Sequence, residues 1–573
     1  MNIDIRILVP ITEANQNFSK VARLVDENGM VVILKNNKPH YMVLNFQEYD
    51  AIQAVQRKLL NDTADSVTSE NLEDETSKNL NNEMFIVTFM GDIKEMARLK
   101  AQGADIKTKG DNGQTLMHAA AFGGKLEAMI WLKTQGADVK DKDNSGAEPM
   151  HTAAYNGHVG AIKWLKAQGV NINTELGSTG RTPMHIAAMN GQVEAMEWLK
   201  KEGASINAKD IQGEKPIHSA ASTGQLKAMK WLKEQNADIN AKDDKGWTPM
   251  HVAARKGQLD AMSWLKAQNA DINAKMNNGL APFHIAASNG QLEAMKWLKE
   301  QNADTNAKDC IGAAPMHSAA FNGQLEAMEW LKEQNNADIN AEDYIGTVPI
   351  HVAAFNGQLE AMEWLKEQNA DINAKMNNGF TPLHIAASNG QLEAMKWLKE
   401  QNADINATDC IGAMPMHSAA FNGQMEAMKW LKEQGADINA EDYIGTVPMY
   451  YAAFNGQLEA MKWLKEQGAN IDVKATIGRA SMHIAALNGQ LEAMAWLKEQ
   501  GANINVKATI GRTPIHIAAL NGQLEAMKWL KEQGASINAK DNDSHTPLQL
   551  AVAANNEKAA AWIQQEQQNR ANG

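Results

Sequence analysis

Histidine is the residue type in this 573-residue chain best placed to do chemistry. Twelve of its fifteen histidines form a ladder at a nearly constant period, His118, His151, His185, His218 and so on to His516, with Tyr450 and Gln549 on two rungs. Imidazole ligates metals and moves protons near neutral pH. Metal ligands must converge within ~2 Å of one ion, whereas stacked helical layers stand ~10 Å apart. Rungs of one ladder therefore cannot share a metal, and a structural role is expected for them. The chain carries no G-x-S-x-G, P-loop, zinc-binding motif or Gly-rich dinucleotide loop. The expectation is no enzyme, no catalytic or metal-ligating residue and no cofactor. Its two cysteines, Cys310 and Cys410, hold one position in repeats three units apart. At ~30 Å they cannot bridge, which suits a reducing compartment.

The elements that position this ladder follow the same period. Fourteen of the fifteen tryptophans recur in step with the histidines, from Trp131, Trp164 and Trp198 to Trp562. Within Asp243–Lys275, Asp243-Asp244-Lys245-Gly246 has turn chemistry. Thr248-Pro249 predicts a helix start, with Thr as N-cap and Pro at the first helical position, and Lys256-Gly257 ends that helix. A second helix is expected from about Gln258 to Gln268, with a wide apolar stripe of Leu259, Ala261, Met262, Trp264 and Leu265. Asn269 closes it where other copies have Gly136 or Gly435, the two residue types that best tolerate a left-handed C-cap. The ladder tryptophans are read as core. Residues 274–373 and 374–472 are near-copies of one three-repeat block.

This unit, with D-x-x-G-x-T-P-x-H-x-A-A-x-x-G and a Gly-Ala-Asp-x-Asn exit, resembles the ankyrin repeat over residues 84–573, the greater part of the chain. The resemblance implies a mostly α fold, a solenoid of helix-turn-helix units each with a β-hairpin finger. It also implies ladder histidines that hydrogen-bond neighbouring backbone. The array holds about fourteen repeats, with eroded end caps. Protein partners of such arrays bind the concave face of fingers and first helices. The residue four after the ladder His varies there, and includes Phe122, Tyr155, Phe321, Phe355, Phe421 and Phe454. These rings either form a partner site or pack between neighbouring repeats. Trp247 follows the finger Gly and is either a binding hot spot or a ring folded over the adjacent finger; Phe380, at the equivalent place, is a further candidate protein contact.

Residues 1–58 follow another pattern. Asp4–Val9 alternates like a strand, Thr12 caps a helix to about Asn28, Met30–Lys35 and His40–Asn45 are strands around an Asn36–Pro39 turn, and Glu48 opens a second helix. This small α+β (βαββα) unit is too short to be stable alone, so a homodimer through 1–58 is expected. The runs Pro10–Ser19, Val31–Pro39 and Leu44–Tyr49 resemble the Phd/YefM antitoxins. That resemblance implies a dimerisation and DNA-binding domain, operator DNA as ligand and a cognate toxin as partner. Asn15 stands where the family often has a DNA-contacting Arg, which leaves Arg6, Lys20 and Arg23 as candidate phosphate contacts. Residues 59–83 carry a net charge of −6 and are expected to be a flexible linker. It serves as a spacer or, with Leu72 and Leu80 as anchors, as the toxin-binding segment.

Net charge is −13, of which 84–573 carries −8, so the array has no electrostatic footprint for nucleic acid. The start has no apolar core of signal-peptide length, and no run of about 18 apolar residues exists to span a membrane. A cytoplasmic bacterial protein without membrane contact is expected. Its first functional reading is a protein-interaction scaffold joined to an antitoxin. The second is a secreted effector that binds eukaryotic host proteins.

Overall fold

The repeat begins with a turn whose aspartate closes it. Asp243 Oδ1 accepts the backbone N–H groups of Lys245 at 2.9 Å and Trp247 at 2.6 Å, and Asp243 N–H reaches the Trp247 carbonyl at 3.0 Å. Gly246, at φ 87°, carries the chain through this turn; a Cβ there would stand 2.7 Å from the Asn277 nitrogen of the next finger. Successive fingers are joined by one backbone bond, Asn277 N–H to the Lys245 carbonyl at 3.0 Å. Thr248 then caps the helix Pro249–Arg255, and Gln258 precedes the helix Leu259–Ala267. Asn269 takes φ 65°, as Gly136 and Gly435 take φ 89°, so the Asn/Gly exchange marks a left-handed C-cap.

The computed structural model describes residues 8–10, 30–35, 38–44 and 69–572 apart from 336, 472, 473 and 477, with side chains between Lys78 and Asn569. The chain forms two units, Met1–Asp138 and Val139–Gly573. In the first, β1 (Leu8–Pro10) pairs parallel with β2 (Met30–Lys35), which pairs antiparallel with β3 (Lys38–Leu44). The third strand starts two residues earlier than expected, at Lys38. The helices expected from Thr12 and Glu48 lie outside the described residues. α1 (Ser69–Met90) follows, then α2 (Ile93–Ala101). The run expected to be unstructured over Asn61–Glu83 is thus helical from Ser69. The reason is tertiary: Met84, Val87 and Thr88 are buried, and Asn81 Oδ1 accepts the Asp105 N–H at 2.8 Å, so packing overrides a polar composition.

In the second unit thirteen helix pairs run from Pro149–Tyr155 to Glu557–Asn572. Every inner helix before the last buries its Ala-Ala pair, and the outer helices from Val193–Lys201 to Leu524–Glu532 bury their Ala, Met and Leu almost completely, as in Ala261, Met262 and Leu265. The ladder tryptophans sit at the rim of that core. Trp231, Trp430 and Trp496 are buried while the others in this unit are half-buried, and Lys299 lies 5.2 Å from the Trp330 ring centre. Among the described residues the fingers hold no strand ladder, only an isolated bridge between Lys109 and Thr115 in the first unit. The insertion at Asn335 lengthens its outer helix to Leu325–Asn335, eleven residues against the nine of Leu292–Glu300.

The ladder histidines fasten repeat to repeat. In each inner helix of the second unit that keeps one, Nδ1 accepts the backbone N–H of the helix-capping residue, from 3.0 Å at Lys215 to 3.3 Å at Ala281. An acceptor at Nδ1 places the proton on Nε2. Nε2–H then donates to a carbonyl of the next repeat: His185 to Glu214 at 3.0 Å, His317 to Thr347 at 2.9 Å, His384 to Ala413 at 3.1 Å. All these rings are buried. Desolvation pushes the pKa of His185, His251, His384 and His483 down to about 4, against about 6.5 for a free imidazole.

Tyr450 interrupts this pattern. Among the described residues it gives no side-chain hydrogen bond to the next repeat, although the Arg479 carbonyl stands at the place in sequence where other rungs find their acceptor. Its neighbour Tyr451 instead donates its hydroxyl to Asp442 at 2.9 Å and turns its ring edge to His417 at 5.1 Å. The other copy of the duplicated block keeps His351 at this place, bonded to the Ala374 and Phe380 carbonyls at 3.0 and 3.1 Å.

These bonds tie stability to pH. A histidine whose folded pKa is depressed stabilises fully above the unfolded pKa and loses that contribution as pH falls below it. The array is therefore expected to lose stability between pH ~6.5 and ~4, on the order of 3 kcal/mol for each of the four most shifted rungs. Urea midpoints across that range measure it, and a flat profile refutes it. Tyr450→His should raise the midpoint by about 1 kcal/mol equivalent and His351→Tyr should lower it; equal midpoints for all three proteins count against the fastening role.

Candidate protein-binding surface

The inner helices of these repeats are seven residues long, so the residue four after the ladder His is their last. At that end the chain turns away from its neighbours and leaves the side chain partly in solvent. Tyr155 is 47% exposed, Phe321 39% and Phe355 43%, while Phe421 and Phe454 are half-buried. These rings also meet across repeats: Phe321 and Phe355 stack at 5.9 Å, Phe421 and Phe454 lie 5.8 Å apart. The rings of Phe321, Phe355, Phe421 and Phe454 thus pack in pairs across repeats, each with part of its surface left to water. Polar bonds hold the paired helix ends. The Asn356 amide donates to the Phe321 carbonyl at 2.9 Å, and Asn322 donates to the Ser288 carbonyl and hydroxyl at 2.8 and 2.7 Å. The duplicated block repeats these contacts at Asn455 with Phe421 and at Asn422 with Ser388. In the first unit Phe122, 42% exposed, lies 6.0 Å from Phe89.

Trp247 and Phe380 are placed differently. The Trp247 ring meets His251 edge-on at 6.1 Å, with the Arg255 guanidinium 5.5 Å from its centre. Phe380 stacks flat on His384 at 5.3 Å. Both rings cover the ladder histidine of their own repeat and are half-buried. Leu80 is half-buried on α1. The side chain of Leu72, on the same helix, lies outside the described residues, as do Arg6, Asn15, Lys20 and Arg23.

Sequence reasoning missed the apolar finger tips. Tyr344 is 65% exposed, Ile345 53%, Tyr443 71% and Ile311 50%. The signal was available: a turn tip favours Asn, Asp or Gly, and a β-branched or aromatic residue there gains no burial. At the last finger Asp541, Asp543 and His545 bring ligand atoms within 4.8 Å of one another. The Asp541 carboxylate is already engaged by the Asp543 and His545 N–H groups at 3.0 and 2.8 Å and by Arg512 at 3.2 Å, with the same turn closure as at Asp243 and Asp309. No described helix is long and apolar enough to cross a membrane.

The pairing of the rings is testable. Phe321→Ala and Phe355→Ala should couple by roughly 0.5–1 kcal/mol in a double-mutant cycle on urea stability; strict additivity removes the pairing.

Known families match both the repeats and the segment before them. Nine segments, overlapping except for a gap between 476 and 482, run from residue 84 to 572 and match the family described as Ankyrin repeats (3 copies). Residues 8–76 match the family described as Antitoxin Phd_YefM, type II toxin-antitoxin system, a match that ends inside α1. No curated protein matches the chain significantly. The chain belongs to the ankyrin-repeat family and carries a Phd/YefM antitoxin domain at its N-terminus.

Proposed function

We propose that this protein is a non-enzymatic scaffold. In this reading the repeats capture a protein through the exposed ends of their inner helices, and the antitoxin domain neutralises a cognate toxin. The observation that carries the first half is the pair of stacked, solvent-facing aromatics Phe321 and Phe355, with Phe421 and Phe454 as its duplicate. Rings fixed in orientation lose little entropy on binding, which is what favours them as interface anchors. The second half rests on the antitoxin match over residues 8–76. In that role residues 1–58 dimerise and bind operator DNA, with Arg6, Lys20 and Arg23 toward phosphates, and the start of α1 with Leu72 meets the toxin.

The test is affinity capture by the full chain from its source cell, beside a variant with Phe321, Phe355, Phe421 and Phe454 all changed to Ser. One protein is expected to be retained by the parent and lost by the variant, while a small toxin-like protein is retained by both. Equal recovery of every protein by the two baits removes the inner-helix ends as the binding surface. The absence of a toxin-like protein from both removes the antitoxin role.

A further inference from the structure

Four neighbouring fingers form a pattern that reads alike from either end. The outer two carry Asn277-Asn278 and Asn377-Asn378 at their tips. The inner two carry Cys310-Ile311 and Tyr344-Ile345. The four are sewn into one edge by single backbone bonds: Cys310 N–H to the Asn278 carbonyl at 2.9 Å, Tyr344 N–H to Ile311 at 2.8 Å, Asn377 N–H to Ile345 at 2.9 Å. The Tyr344 ring lies across Gly312 of the preceding finger, where a Cβ would stand 2.6 Å from its Cδ1, and the residue is still 65% exposed. Ile311 and Ile345 flank it at 50% and 53%. The result is a rigid edge with an apolar centre and an amide rim, the composition of a protein interface.

We infer that this edge pairs with the same edge of a second copy of the chain, about a two-fold axis between the two inner fingers. Such an axis requires a patch that is its own complement. It sets Ile311 against Tyr344 and Ile345 of the second copy, and the outer asparagines, each able to donate and accept, against one another. It also sets charge against opposite charge. Lys308 precedes one inner finger and Glu342 the other, and the axis brings each opposite the other residue's counterpart. Lys275 and Lys375 also face one another under this operation. Their ammonium groups are directed along the array instead, donating to the Lys308 carbonyl at 3.0 Å and the Thr408 carbonyl at 3.2 Å. The duplicated block carries Ile411, Tyr443 and Ile444 at its tips but has Thr408 in place of the lysine, so it lacks the charge pair and the first edge is the one assigned. Two or four fingers bury less than the ~800 Å² per partner of a stand-alone dimer, so the pairing is weak and concentration-dependent.

Sedimentation equilibrium of the full chain, from low-micromolar to several-hundred-micromolar concentration, tests this. Whatever association residues 1–58 provide is common to every variant. The parent mass should keep rising with concentration. Glu342→Lys and Tyr344→Asp should each weaken that rise roughly tenfold in association constant, and Lys308→Glu with Glu342→Lys should restore it. These positions lie on the surface of the fingers, so melting temperatures should match and separate the effect from misfolding. A flat parent mass, or variants that associate like the parent, overturns the proposal. So does a double reversal no better than Glu342→Lys alone.

Discussion

A neutral, buried imidazole that accepts at Nδ1 and donates at Nε2 is the constraint on which the repeats of the second unit depend. A repeat such as the one holding His251 offers seven residues of inner helix and nine of outer helix, too little to hold together alone. Apolar burial supplies most of the attraction between layers, but it is non-directional. The histidine adds direction. One nitrogen caps its own helix, the other reaches the turn of the next repeat, and both bonds exist together only in one tautomer and one register. Leaving either backbone group unpaired in that buried place costs about 1–3 kcal/mol, so the finger, the helix start and the neighbouring repeat are positioned by the same ring.

That arrangement also orders the surface proposed above to meet a partner. Finger-to-finger backbone bonds and asparagine bridges between helix ends fix the tips and the terminal aromatics without burying them. It also gives meaning to Tyr450. Two near-identical blocks differ at this rung, His351 in one and Tyr450 in the other. The tyrosine pair there trades a bond between repeats for one within its own, to Asp442. Among the described residues the second unit is therefore uneven along its length, with no side-chain bond from this rung to the next repeat.

Much of this was legible in the sequence. Thr248-Pro249 and the Asn269/Gly136 exchange located helix ends because caps are local chemistry, and the ladder period excluded a shared metal because spacing is geometry. What was not legible depended on neighbours. The rings of Phe321 and Phe355 proved both paired and exposed, which no single repeat can reveal. Trp330 and most other ladder tryptophans proved to be at the rim of the core, because the helical stripe turns Ala, Met and Leu fully inward and leaves the Trp330 ring beside the Lys299 ammonium. The polar run leading into Met84 read as unstructured, but it is the start of a helix anchored at its far end by burial. The apolar tips at Ile311 and Tyr344 were passed over because turns are taken to be polar.

The tautomer is the most direct test of the fastening role. Imidazole nitrogen resonances of the full chain, with histidine selectively labelled, report it at pH ~6, just below the ordinary imidazole pKa, without perturbing the fold. The ladder rings should be neutral with the proton on Nε2, bonded and slow to exchange with water. Rings found protonated at that pH, or carrying the proton on Nδ1, would contradict the account, since neither state can cap its own helix and hold the next repeat.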